Sequence, residues 1–346
     1  MAPDAFKGTA TAADIAAAMA AGAASVGFVS DECPLSDGGE GFLDVLAVLG
    51  GDLISTAVTG PSGVPVVARW RLVGDLAVVE SAQASGLVLA GGAKGNDPIS
   101  ATTKGTGELI AAAVSAGAKT VLVGVGGSAT TDGGEGALEA IDEAGGIGDA
   151  EVLVACDVEV GFLDAARIFG PQKGADPDQV AFLSGRLRDQ ADRYRRRGVE
   201  VTTVSGSGAA GGLGGGLVVA GAKLVPGLDL VATHVGLDER IEVADVVVTG
   251  EGRLDRTSWT GKVVAGVTKR AARAGKPVFV VAGQVASDAM DFERGGSDDA
   301  QSEKALHTIE GVVDMSLRFG TEASMKEPAR CAELATASVL VARAGS

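Results

Sequence analysis

Aromatic side chains are scarce in this sequence: Phe, Trp and Tyr together make up 3% of 346 residues. The apolar mass is instead Ala, Val, Leu and Gly, within a composition that is 46% hydrophobic and sufficient for a full core. Proline is limited to 10 residues, which excludes a disordered Pro/Gly-rich chain. Only two histidines occur, His234 and His307, so neither a histidine metal site nor a Ser-His-Asp triad is expected. The three cysteines, Cys33, Cys156 and Cys331, are odd in number and far apart. They fit no zinc spacing and no disulfide framework, and point to a reducing compartment. Positive charge is also short, with 29 Lys and Arg against 45 Asp and Glu and a net charge of −16. That balance disfavours nucleic acid and anionic membranes as partners. No apolar run reaches the ~18 residues of a membrane span, and no basic n-region opens the chain. A soluble, cytoplasmic protein is expected, and a homo-oligomer is compatible with the sequence.

What abounds is glycine, 53 residues or about twice the usual share, clustered at the ends of apolar strands. The length suggests two domains. DLISTAVTG, PVVARWRLVG and LAVVESAQA alternate or are β-branched, as in antiparallel strands, whereas KTVLVGV and EVLVACDV are continuous apolar strands of the buried parallel kind. VEVTTVSGSG also reads as a strand, and AAGGLGGGLVVAGAK as a glycine-dense helix or loop. Helices are expected over 11–24, after Thr102 or Thr103 as N-cap, around 260–274 and near 326–343. The arginine-rich helix DPDQVAFLSGRLRDQADRYRRRG should start at Pro177, end at Gly198 and present a solvated basic face. Alternating strands and helices make the chain α/β, with a differently patterned middle inserted into a βαβ domain. No strand precedes the first loop, so a sheet built there would lack its first strand and leave edge groups unpaired.

One pentapeptide occurs twice, Asp37-Gly-Gly-Glu-Gly41 and Asp132-Gly-Gly-Glu-Gly136, and a variant, Gly250-Glu-Gly252, follows the strand ADVVVT. All three are expected to be acidic turns where helices begin. Such turns expose backbone N–H groups to a ligand, and the helix dipole favours phosphate. The carboxylates fit if Mg²⁺ bridges acid and phosphate, with Asp37 and Asp132 as its ligands. Ser128, Thr130 and Thr131 can donate to phosphate oxygens, and Gly38, Gly39, Gly126 and Gly127 let a ligand approach the main chain. A structural alternative makes Asp37 and Asp132 helix caps and the glycines packing devices. Lys7, Lys173, Arg253 and Lys262 complete a phosphoryl-transfer set, and Asp4, Asp37, Asp132, Asp157 and Asp255 are candidate bases.

The P-loop pattern is absent, because Lys262 is followed by Val263 and preceded by no suitable glycine. Two dinucleotide-like fingerprints occur, GVGGSA at Gly124, Gly126 and Ala129, and GSGAAG at Gly206, Gly208 and Gly211. Neither has a strand ending in an acid about 20 residues on, as ribose binding wants. They motivate a nicotinamide-dependent oxidoreductase as the alternative enzyme class.

APDAFKG, PLSDGGEG, VGVGGSATTDGG, ACDV with FGPQKGA, and TGEGRLDRTSWTGK, in this order, resemble the glycerate kinase family of the bacterial type I kind, which includes glycerate 2-kinases. The resemblance covers nearly the whole chain. It implies ATP-dependent phosphorylation of D-glycerate, giving 2-phosphoglycerate or 3-phosphoglycerate. It also implies a flavodoxin/Rossmann-like parallel-sheet domain from both chain ends, set at 1–62 and 236–346, and an inserted mixed-sheet domain at 63–235 resembling the restriction-endonuclease fold. Lys7, Asp37, Asp132 and Asp255 are then the catalytic candidates, and Lys7, Lys173 or Arg253 would hold the substrate carboxylate or the transferred phosphoryl group. The acidic turns should converge on one polyphosphate and its metal. Relatives usually carry an apolar strand before APDxFKG, a longer segment where AGGIGDA stands, and an Asn-Pro pair where EVGFLDAARIFG stands. A non-catalytic family member is the reading in which those differences abolish activity.

Overall fold

The computed structural model describes residues 1–259, 262–289 and 307–344. Ten strands are present among them: β1 (Ala2–Pro3), β2 (Asp52–Thr59), β3 (Pro65–Val73), β4 (Leu76–Glu80), β5 (Thr120–Gly124), β6 (Glu151–Ala155), β7 (Lys223–Val225), β8 (Val247–Leu254), β9 (Val278–Val285) and β10 (Ile309–Asp314). They form an all-parallel four-stranded sheet, β1-β8-β9-β10, and a six-stranded mixed sheet, β2-β3-β4-β5-β6-β7. The chain divides into two units, Met1–Asp37 with Leu228–Ser346, and Gly38–Gly227.

In the first unit the parallel sheet carries the continuous apolar runs that burial on both faces requires, VFVVAG in β9 being buried at six successive positions. The helices Ala12–Ser25 and Pro328–Ala344 lie against one another, close enough that a Cβ at Gly22 would sit 2.1 Å from the Glu333 carbonyl oxygen. Thr11 caps the first of them in a reciprocal box with Asp14. The expected missing strand is a correction. Ala2 and Pro3 pair in parallel with Thr249 and Gly250, and the Thr249 hydroxyl donates to the Ala2 carbonyl at 2.7 Å. The Cys33 and Leu35 amides then donate to the carbonyls of Met1 and Pro3, so this short strand has partners on both sides. Its two residues were too few to show a period.

In the second unit β2, β3 and β4 are antiparallel and β4 to β7 parallel, as their alternating and continuous patterns indicated. Pairing of β2 with β3 along its full length places residues 38–62 with this sheet. The segment at 200–208 forms no strand, only a 3₁₀ turn at Val201–Thr203. Its β-branched residues are interrupted by the Glu200 carboxylate, which takes the Thr202 amide and hydroxyl. AGGIGDA is a tight return, with left-handed Gly145, Gly146 and Gly148, joining the helix Glu135–Glu143 directly to β6.

The basic helix runs Pro177–Arg196, with Asp176 and Gln179 forming its capping box and left-handed Gly198 just past its end. Arg193, Arg195 and Arg197 make exposed ion pairs with Glu135, Asp192, Glu200 and Asp142. Arg186 departs from the expected solvated face, as it turns inward to donate to the carbonyls of Ile99 and Thr131.

Candidate active site

Because all strands of the first unit run parallel, their carboxyl ends share one edge, the usual position of ligands in open α/β sheets. A cavity of about 360 Å³ lies there, lined by three acidic and three basic side chains: Asp4, Glu251 and Asp255 with Lys7, Arg253 and Lys262. Asp4 follows β1 directly. The loop after it folds back through hydrogen bonds of the Phe6 and Ala10 main chains and a left-handed Gly8, which brings exposed Lys7 to the same opening. The third acidic motif is not a turn before a helix. Gly250-Glu-Gly252 lies within β8, and its first glycine allows close strand pairing, since a Cβ there would stand 2.0 Å from the Val281 carbonyl oxygen.

The carboxyl groups of this cavity differ sharply. Asp4 is buried and accepts the Ala5 amide at 2.7 Å; burial, reinforced by the neighbouring charge of Asp37 and partly offset by Lys7, pushes its pKa up to about 7. Burial likewise raises Glu251, whose Oε1 has no hydrogen-bond partner. Asp255 is held below its ordinary range by the Thr257 hydroxyl and amide, at 2.6 and 2.9 Å. Arg253 approaches Asp255 at 3.8 Å, and the Lys262 ammonium donates to the Thr257 hydroxyl at 2.8 Å. Lys262 is the N-cap of the helix Val263–Arg273, while Thr260 and Gly261 of the same motif lie outside the described residues.

In the second unit the loop after β5, VGGSATTDGG, is packed by its glycines. A Cβ at Gly126 would lie 2.4 Å from the Gly39 Cα, and one at Gly38 would lie 2.7 Å from the Ala155 Cβ. The first DGGEG motif leads into a single α-helical turn, Phe42–Val45, continued by a 3₁₀ turn at Leu46–Leu49, and is held by Glu80, which accepts the Gly41 and Leu43 amides. Asp132 accepts three donors, the Thr103 amide and hydroxyl at 2.8 Å each and the Gly134 amide at 3.1 Å. Thr103 stands at the N-cap of the helix Lys104–Ser115, yet its hydroxyl serves Asp132 rather than its own helix. Asp132 thus ties two helix starts together, and three donors fill most of the acceptor positions of its carboxylate. Asp157 accepts the Gly227 amide at 2.7 Å.

Lys173 faces inward rather than toward solvent. It is 2% exposed, and its ammonium donates to the Ser128 hydroxyl oxygen at 2.8 Å and the Thr130 carbonyl at 2.6 Å. Thr130 and Thr131 are wholly buried; the Thr130 hydroxyl leans on the Ala210 carbonyl at 3.4 Å, and that of Thr131 has no partner. Among the described residues no three His, Cys, Asp or Glu side chains gather as a metal cage, and no helix is long and apolar enough to cross a membrane. The two dinucleotide-like fingerprints lack their context. GVGGSA is separated from the next helix, which begins at Glu135, and GSGAAG follows a 3₁₀ turn instead of a strand.

Sequence reasoning passed over Glu80, Asn96 and Tyr194, and read Thr103 only as a helix cap and Glu251 only as part of a turn. The side chains of Glu80, Asn96, Thr103 and Tyr194 bond main chain about 30 to 60 residues away along the chain, which leaves no local pattern. Glu251 carried a usable signal, an acid at the end of a buried apolar strand.

A family model described as the glycerate kinase family matches residues 1–145 and 142–313. The two pieces overlap at residues 142–145, where the short AGGIGDA return begins. Glycerate 2-kinase of Escherichia coli (strain K12) is 37% identical, over 92% of this chain and 92% of its own. Glycerate kinase of Bacillus subtilis (strain 168) is 36% identical, over 99% and 98%. A crystal structure of a candidate glycerate kinase 2 from Salmonella typhimurium LT2 superposes with a TM-score of 0.75 at 31% identity, covering 99% of this chain and 98% of that one. The chain belongs to the glycerate kinase family.

Proposed function

We propose that this chain transfers a phosphoryl group from ATP to D-glycerate, with the 2-hydroxyl as acceptor. The observation that carries this reading is the cavity at the carboxyl edge of the parallel sheet, where buried Asp4 stands with Lys7, Arg253 and Lys262. A small hydroxy acid needs a cation for its carboxylate and a base for its hydroxyl. Asp4 has the environment for the second task, because a base poised near neutral pH accepts a proton most effectively. Lys7, Arg253 and Lys262 supply the positive charge that the carboxylate and the moving phosphoryl group require. Asp255, held ionised by Thr257, orients rather than titrates.

ATP enters such chemistry with Mg²⁺, which prefers one or two carboxylates together with phosphate oxygens and supplies charge neutralisation. Asp37, whose charge acts on Asp4, fits that demand. Asp132 fits it less well, since three donors already fill most of its acceptor positions. The nicotinamide alternative loses its support with the context of both fingerprints.

Purified protein with ATP, Mg²⁺ and D-glycerate should release ADP above the L-glycerate background. Phosphorus–proton coupled NMR of the product should place the phosphate on the C2 methine; coupling to the C3 methylene would assign the 3-hydroxyl instead. Lys7→Met should raise the KM for D-glycerate roughly 10- to 100-fold, as loss of a charge-assisted contact predicts. An unchanged KM would remove Lys7 from substrate binding.

A further inference from the structure

The loop after β5 is anchored by its carbonyls. Asn96 donates to the Ala129 carbonyl at 3.0 Å, Lys173 to that of Thr130 at 2.6 Å, Arg186 to that of Thr131 at 3.2 Å, and Tyr194 to that of Gly133 at 3.0 Å. Asn96 also holds the Lys173 carbonyl at 2.8 Å, so the donors brace one another. On the other side of the peptide units, the amides of Ser128, Thr130 and Thr131 have no protein acceptor among the described residues. The Thr131 hydroxyl, wholly buried, is also unpartnered. Buried donors without acceptors are rare in folded proteins and mark a ligand or water.

We propose that Lys173 is a positioning residue, which fixes the carbonyl side of residues 128–131 from within and thereby presents their unpaired amides to an anionic phosphate, without touching that phosphate itself. This rests on the reading of the chain as an ATP-dependent kinase and refines it, for the sequence alone had placed Lys173 on the ligand. Geometry supports the internal role: both acceptors of the amine belong to the loop, and the side chain is almost without solvent contact. Burial pushes its pKa down to about 7, against the neighbouring charge of Asp132, which favours protonation. Either protonation form still has hydrogens for both bonds.

Lys173→Met keeps the buried volume and removes the donors. Its KM for ATP is expected to rise roughly 10- to 100-fold while the KM for D-glycerate stays within about twofold, as displacement of a preorganised contact predicts. Arg186→Met, which frees the next carbonyl, should show the same selectivity and serves if the first variant does not fold. Calorimetric titration with ATP alone should show the same loss for both variants; this readout needs no turnover, so it stands apart from a failure of the glycerate reaction. A selective rise in the KM for D-glycerate would put Lys173 on that substrate and overturn the proposal. ATP affinity at the wild-type level in Lys173→Met, with loss only in Lys173→Ala, would reduce Lys173 to packing and overturn it equally.

Discussion

Replacing Asp4 by Asn should lower glycerate-dependent ADP release by roughly 10²- to 10⁴-fold, the usual contribution of a general base, and should at the same time stabilise the folded chain at neutral pH. The second effect follows from linkage. The Asp4 pKa is raised from 3.8 to about 7 on folding, so between those values the native state holds a proton that the unfolded chain has released. The favourable contribution is fully present below pH 3.8 and is lost as pH rises through 7. At or above neutral pH the ionised carboxylate is a burden, worth at most about 4 kcal/mol at 1.36 kcal/mol per pH unit. Asn keeps an oxygen for the Ala5 amide and carries no charge to bury. Urea unfolding of both proteins at pH 7.5 and pH 4 measures the difference. The variant should gain at the higher pH and lose most of that gain at the lower. Activity within tenfold of wild type would assign the base elsewhere, with Glu251 the next carboxyl group in the same cavity.

Gly211→Ala should destabilise the chain by more than about 3 kcal/mol, the scale of forced backbone displacement in a packed interior. Gly211 has a φ of +71° and its added Cβ would stand 2.0 Å from the Thr130 carbonyl oxygen, backbone against backbone, so neither side can rotate away. The comparison is Gly145→Ala, at a φ of +96° with open space around it, where only conformational strain of about 1–2 kcal/mol applies. Next to Gly211, Ala210 already pays that strain at a φ of +52°. Ala210→Gly should gain about 0.5–1 kcal/mol after the entropy of the extra glycine is subtracted. Thermal or denaturant unfolding of the three variants separates clash from strain. Equal effects at 211 and 145 would mean that the approach to Thr130 does not matter.

How far the sequence could be read depended on how local each signal was. Continuous apolar runs such as KTVLVGV and alternating ones such as DLISTAVTG became β5 and β2, because burial on one or two faces is written into adjacent residues. VEVTTVSGSG failed since its β-branched residues had no neighbouring strand to join. GEG failed for the opposite reason: the same glycines that open a turn also let β8 lie against β9. Asp132 and Lys173 were recognised as unusual, yet their partners Thr103 and Thr130 lie 29 and 43 residues away, so the inward direction of both side chains could not be read. Asp4 was one of five candidate bases; two of them, Asp4 and Asp132, are buried, and of these only Asp4 lines the cavity at the sheet edge.

Assembly of the first unit from Met1–Asp37 and Leu228–Ser346 has a consequence for synthesis in the cell. At translation speeds of about 5–20 residues per second, β1 emerges roughly 10–50 s before its partner β8 exists. Gly38–Gly227 meanwhile holds every strand of its own sheet and can complete it at once. A ribosome that stops late in the message therefore releases a chain with a finished middle and an orphaned leading segment, whose apolar face invites chaperones or proteases.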